Sequence, residues 1–256
     1  MQRPDELRAA FEDWLAGLEL SPELGGLQDA VRYALEGGGK RIRPVLCLAT
    51  AEAAGGDTQE ALPAAASIEL VHSFSLVHDD LPALDDDEER RGRPTAHVRF
   101  GEAHAILAGD ALLAEAFALA LRYPTPAIAR ELALATSGMI GGQYLDVNGG
   151  RPDRATLNRL KTGRLFEASV ACGLLAAGVP DADQQPWRAF GADYGFLYQA
   201  VDDLLDDDGL VSDRGPEQVR ALVGETEASA RDRLRAIDAD TSVLAQLVEE
   251  LVARVR

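Results

Sequence analysis

Lysine is almost missing from this chain. Only Lys40 and Lys161 occur, so arginine supplies the rest of the 25 basic residues. Acidic residues number 43, and the resulting net charge of −18 excludes nucleic acid as a partner, because binding to a phosphate backbone rests on a basic face. Two cysteines, Cys47 and Cys172, are too few for a disulfide framework and suit a reducing compartment. The four histidines crowd between positions 72 and 104, far from either cysteine, and offer no zinc-ligand pattern. Long hydrophobic runs are lacking too. The longest, Ala168 to Val179, is interrupted by glycines and follows Glu167, so no stable membrane insertion is expected. The N-terminus, MQRPDELRAAFEDW, carries acids where a signal peptide carries bases, which places the protein in the cytoplasm. Isoleucine and threonine are scarce, which disfavours sheet, and no Ser/His/Asp or Cys/His arrangement for nucleophilic catalysis is evident.

What is abundant favours helices: alanine, leucine and arginine dominate. A chain of 256 residues can bury one large core, and nothing in it reads as a linker, so residues 1–256 are expected to form one domain. Apolar spacing predicts helices over Asp5–Leu20, Gly26–Glu36, Pro44–Ala54, Pro63–Asp80, Glu102–Leu121, Ala127–Leu145, Arg154–Ala177 and Asp183–Asp207. The expected architecture is an all-α bundle of roughly ten or more helices around one cavity.

Two acidic clusters stand out. Seven acidic residues fall between Asp79 and Glu89, at the end of a helix that carries Ile68, Val71 and Leu76 at helical spacing and is stopped by Pro82. Crowding like charges is unfavourable unless a cation sits among them. In YQAVDDLLDDDG, Asp202 and Asp206 lie one turn apart with Asp203 beside them, so three carboxylates are expected on one helix face. Two such ends facing each other would form a cage of hard oxygen ligands suited to Mg²⁺, an ion usually shared between carboxylates and substrate phosphates. The substrate should then be a phosphate ester. Basic groups are placed to meet it. Glycines 37–39 let the backbone turn sharply and bring Lys40, Arg41 and Arg43 toward a ligand; Arg90, Arg91 and Arg93 follow the acidic run; and Lys161 lies in LKTGRLF.

HDDLPALDDDEERRGRPT and YQAVDDLLD resemble the two aspartate-rich motifs of the trans-prenyl diphosphate synthases, the head-to-tail isoprenoid chain elongators. GGGKRIRP, GGQYLD and LKTGRLF are similar to that family's other signatures, and all five occur in the family's order across residues 37–206. The resemblance implies ionisation of an allylic diphosphate, condensation with isopentenyl diphosphate and loss of a proton. It implies Mg²⁺ held by Asp79, Asp80, Asp85, Asp202 and Asp206. It further implies isopentenyl diphosphate bound by Lys40, Arg43, His72 and Arg91, and the allylic diphosphate met by Arg90 and Lys161, with Thr162 and Gln143 in the substrate site and Asp146 lining the cavity. His78, His97 and His104 are read as structural. Phe74 lies five residues before Asp79, about 7.5 Å along the helix axis, and could floor the apolar tunnel. An aromatic there, with the two-residue insertion in DDLPALD, is similar to bacterial farnesyl diphosphate synthases, so the expected product is C15; the alternatives are a geranylgeranyl diphosphate synthase, a class I terpene cyclase or a non-catalytic partner subunit. The family also implies a homodimer. One departure is clear: after the second aspartate motif these enzymes usually carry a glycine–lysine segment, whereas DDGLVSDRGPEQVRALVGE has no lysine, leaving Arg214, Arg220, Arg254 and Arg256 as possible substitutes.

Overall fold

The computed structural model describes residues 1–148 and 154–256. Helices follow one another almost without interruption: α1 (Pro4–Ala16), α2 (Gln28–Leu35), α3 (Ile42–Ala53) and α4 (Thr58–Asp79), then a short antiparallel hairpin of β1 (Glu89–Arg90) and β2 (Arg93–Pro94). After it come α5 (Ala96–Phe100), α6 (Glu102–Ala120), α7 (Ala127–Val147), α8 (Arg154–Asn158), a π-helical turn over Arg159–Gly163, and α9 (Arg164–Ala176). The chain ends with α10 (Gln185–Asp206), α11 (Leu210–Arg214), α12 (Pro216–Arg235), α13 (Ser242–Val252) and a 3₁₀ turn over Ala253–Val255.

Helix α4 is the axis of the bundle. It is buried on every side between Ala61 and Val77 and packs on α3, α6 and α9. An apolar surface all round is what a central helix needs, and the run of Ala64, Ala65 and Ala66 lets its neighbours come close. Its start differs from the sequence expectation. Asp57 caps the helix by accepting from the Gln59 amide at 2.8 Å, so α4 begins five residues before Pro63. Pro63 then sits inside the helix, and Tyr123 repairs the local hydrogen bonding: its hydroxyl donates to the Glu60 carbonyl at 2.6 Å and accepts from the Ala64 amide at 3.1 Å. The predicted helix over Arg154–Ala177 is likewise interrupted by the π turn, whose i→i+5 bonding leaves no trace in apolar spacing.

Close packing elsewhere rests on glycine. At Gly173 a Cβ would lie 2.4 Å from the Cys47 carbonyl oxygen, so α3 and α9 approach to backbone contact only because that side chain is missing. Helix α6 corrects another expectation. It is the one described helix long and apolar enough to cross a membrane, and half of it is buried in the bundle, where α4 covers one face.

Candidate active site

The end of α4 delivers its carboxylates to two different sides. Asp79, half-buried, faces an apolar cavity of about 340 Å³ that it shares with Phe74, Ser75, His78, Gln143 and Lys161. Burial raises its carboxyl to about 6, although the Lys161 ammonium pulls the other way. Asp80 is buried on the other side and is held by Arg90, whose Nη2 lies 2.6 Å and Nε 2.7 Å from its Oδ1. Asp85 is exposed in the loop that follows, its amide bonded to the Asp79 carbonyl at 2.9 Å.

At the end of α10 the three acids also part. Asp202 forms an ion pair with Arg254 at 2.9 Å, and Asp206 is exposed. Asp203 leaves the expected shared face: it is buried and caps the next turn, its Oδ2 accepting from the Leu210 amide at 2.8 Å and its Oδ1 from Gln199 at 2.6 Å. Neighbouring helical positions diverge by about 100°, so two adjacent carboxylates cannot serve one point unless the helix ends between them. Among the described residues no three His, Cys, Asp or Glu side chains converge at metal-ligand spacing. The proposed five-carboxylate cage is therefore not assembled here; arginines hold its inner members, Asp80 and Asp202, and its outer members, Asp85 and Asp206, lie in solvent. The donor set nonetheless fits a hard divalent cation. It is all carboxylate oxygen, and Asp79 carries a charge whose burial a cation would relieve.

Two turns back along α4 from Asp79, His72 lines a second pocket, of about 340 Å³, with Lys40, Arg41, Arg43, Glu69, Arg91 and Tyr198. Arg43 is stacked over the Phe166 ring, its guanidinium carbon 4.3 Å from the centroid, and its Nη1 lies 3.4 Å from His72 Nε2. Burial, then the charge of Arg43, pushes the imidazolium of His72 well below its ordinary range, so the ring is neutral and accepts from the guanidinium. Arg43 Nε is buried without a hydrogen-bond partner. Arg91 reaches the same pocket from the tip of the hairpin. Arg91 and Gly92 form its two-residue turn with φ of 55° and 74°, a geometry asparagine and glycine usually supply, and Arg91 donates to the Gly38 carbonyl. Gly39 suits this place through its φ of 129°, a backbone conformation that residues with a Cβ rarely adopt, and the Arg91 guanidinium packs against it.

Arg41 does not join this set as a ligand. Its backbone is left-handed, with φ of 48°, which turns the side chain into the core. There it pairs with Glu69 at 2.6 Å and Glu12 at 2.7 Å and donates to the Leu35 carbonyl. The sequence reading missed this strut. Glu69, four per cent exposed in the middle of an apolar helix, is the signal that could have revealed it.

Lys161 and Thr162 sit in the π turn, with the Lys161 ammonium 2.6 Å from Asp146. Both side-chain amide atoms of Gln143 are buried and unpartnered beside the apolar cavity. Phe74 is buried, and its ring meets that of His78 edge-on at 5.0 Å. His78, read as structural, in fact lines the cavity; its Nε2 lies 3.0 Å from the Ile106 carbonyl, in space that Gly109 leaves open.

Residues 25–215 match the sequence profile described as polyprenyl synthetase. The chain is 44% identical over 195 residues to a geranylgeranyl diphosphate synthase of Cyanophora paradoxa, covering 70% of this chain and 65% of that protein. It is 38% identical over 226 residues to the small subunit of a heterodimeric geranylgeranyl pyrophosphate synthase of Arabidopsis thaliana, covering 83% and 69%. The chain thus spans about two thirds of the length of these curated relatives, and 56% of geranylgeranyl pyrophosphate synthase 11 of Arabidopsis thaliana. Among solved structures, a geranyltransferase from Legionella pneumophila superposes with a TM-score of 0.87 at 32% identity, covering 98% of this chain and 96% of that one. An FPP/GFPP synthase from Zymomonas mobilis gives 0.88 at 30% identity, covering 97% of each.

Proposed function

Since the chain belongs to the polyprenyl synthetase family, we propose that it joins isopentenyl diphosphate to an allylic diphosphate, head to tail, releasing diphosphate. The observation that carries this reading is the pair of unlike pockets on adjacent turns of α4. One is lined by cations around a neutral histidine, the other is apolar and capped by Asp79, Gln143 and Lys161.

In this reading Lys40, Arg43 and Arg91 hold the isopentenyl diphosphate, with His72 orienting Arg43 and adding no charge of its own. The hydrocarbon of the allylic substrate lies in the apolar cavity, and its diphosphate meets Lys161 and Arg90. Mg²⁺ on Asp79, Asp80 and Asp202, with Asp85 and Asp206 nearby, would supply the charge that stabilises the departing diphosphate. The pockets fix the double bond in line with the allylic carbon, so positioning accounts for much of the rate, and the proton lost afterwards goes to the released diphosphate. No protein nucleophile takes part.

The expected C15 product gives way to C20. The curated relatives are named geranylgeranyl diphosphate synthases, and the cavity that Phe74 lines is also walled by Met139, Ile140, Tyr144 and Val147 of α7. The deciding experiment supplies purified chain with Mg²⁺ and both five-carbon diphosphates and reads the product chromatogram. C20 prenyl diphosphate is expected, and none in chelator. Mainly C15 would return Phe74 to the role of floor, and Phe74→Ala would then lengthen the product. Absence of isopentenyl incorporation by the isolated chain would favour a partner-subunit role, as the likeness to a heterodimer small subunit allows. The proposed partner is a second copy of this chain, docked on the exposed apolar residues Ile106 and Leu107 of α6 and Ile140, Tyr144 and Val147 of α7.

A further inference from the structure

The hairpin that carries Arg90 and Arg91 has little of its own to hold it in place. Each strand is two residues long, and a two-stranded ribbon by itself is marginal in water. Nor is it packed flush on α4. A cavity of about 60 Å³, room for a few waters, opens between Arg90, Arg91 and Thr95 on the hairpin side and Ser73, Leu76 and Val77 of α4. Two attachments belong to the arginines themselves: Arg90 pairs with Asp80 at 2.6 Å, and Arg91 donates to the Gly38 carbonyl. Under the prenyl-transfer reading both are contested, because a divalent cation competes for Asp80 and a diphosphate competes for Arg91.

A third attachment has no such competitor. Tyr33, on α2, donates its hydroxyl hydrogen to the Pro94 carbonyl at 2.7 Å. The guanidinium carbon of Arg93 lies 4.2 Å from the centre of the Tyr33 ring and that of Arg99 4.6 Å, while Phe100 meets the ring edge-on at 5.3 Å. One phenol thus ties α2 to β2 and to α5 through a short hydrogen bond and two cation–π contacts. The strand is stiff where it is held, since Pro94 fixes its own φ and restricts Arg93 before it. We propose that Tyr33 is a positioning residue for prenyl transfer: it anchors the hairpin through Pro94 and Arg93, and so keeps Arg91 in the wall of the cationic pocket while the arginines exchange their present partners for ligands. The proposal rests on the prenyl-transfer reading and adds to it an anchor that touches no substrate.

Two variants separate the contacts. Tyr33→Phe removes the hydroxyl and keeps the ring, whereas Tyr33→Leu removes both. Hydrogen exchange over residues 88–95 of the full chain reads the hairpin without turnover, because the Thr95 amide is bonded to the Glu88 carbonyl at 3.0 Å. Exchange there should be about two- to tenfold faster in Tyr33→Phe, the scale of one neutral hydrogen bond, and faster again in Tyr33→Leu. In steady-state assays KM for isopentenyl diphosphate should rise in the same order with kcat nearly constant. A merely structural tyrosine would instead lower the folded fraction, hence kcat, and leave KM alone. Unchanged exchange in Tyr33→Phe overturns the anchor, and faster exchange with unchanged KM overturns its part in positioning. Wild type that incorporates no isopentenyl diphosphate overturns the prenyl-transfer reading, and the exchange arm still decides whether Tyr33 holds the hairpin. Should Tyr33→Leu fail to fold, Tyr33→Phe carries both arms alone.

Discussion

Asp79 holds its charge at a cost. Burial raises its carboxyl from an ordinary 3.8 to about 6, so the folded chain keeps the proton more tightly than the unfolded chain does. The stability this adds is complete below pH 3.8 and is lost as pH rises through about 6. Above that, the ionised group weighs against folding until a cation offsets it. Asp79→Asn should therefore stabilise the metal-free protein at pH 7.5 by about 1–2 kcal/mol, a figure reduced for solvent screening at this partly open position. The gain should fade as pH falls toward 4, while isopentenyl incorporation drops by about a hundredfold or more. Thermal unfolding at two pH values, beside a turnover assay, checks both arms; a variant no more stable at pH 7.5 would mean that the charge is already compensated. At this scale the residue types were legible but their directions were not. Spacing alone groups Asp202 with Asp203, yet Asp203 turns away to cap the Leu210 amide. Likewise the string KRIR does not reveal that Arg41 adopts a left-handed backbone and points inward to Glu69 while Arg43 faces the ligand pocket.

Helices α7 and α9 meet at the π turn, and there the small residues of SGMIGG, positions 137–142, let the elements come close. A Cβ on Gly142 would fall 2.6 Å from the Lys161 amide nitrogen, and one on Gly138 2.9 Å from Arg164 Cγ. The first obstacle is backbone, which cannot rotate aside, and the second is the root of the Arg164 side chain, which can yield only by changing rotamer. Gly142→Ala should therefore push the π turn off α7, costing about 1–3 kcal/mol of stability by overpacking and lowering turnover beyond that loss as Lys161 shifts. Gly138→Ala should cost less than Gly142→Ala in both, because Arg164 can change rotamer where the backbone cannot. Chemical denaturation and steady-state kinetics on the pair separate the two sites, and equal effects would show that Lys161 is not placed by this contact. Helix existence was readable because apolar spacing and alanine content agree over long segments. The π turn and the early start of α4 were not readable, since both depend on partners remote in sequence: Gly142 for the first, and Tyr123 bridging around Pro63 for the second.

For the molecule as a whole, charge and apolar surface pull in opposite directions. Two bodies of net charge −18 repel, yet Ile106, Leu107, Ile140, Tyr144 and Val147 are between 45% and 66% exposed on neighbouring helices. Three of these, on α7, also wall the apolar cavity, so one side of that cavity is open to water in a single copy. Burial of that wall by the proposed second copy would remove apolar area from water and, under the proposed reaction, enclose the hydrocarbon. The order of motifs along the chain gives no view of this, because exposure is a property of the assembled bundle. If apolar contact drives association, then salt, which screens the mutual repulsion over about 8 Å at physiological strength, should tighten the dimer. Sedimentation velocity at low and high ionic strength should show the dimer gaining on the monomer as salt rises. Leu107→Glu, on α6 and outside the cavity lining, should leave a folded monomer at the same concentration. A dimer that instead loosens with salt would assign the interface to ion pairs and move it away from this face.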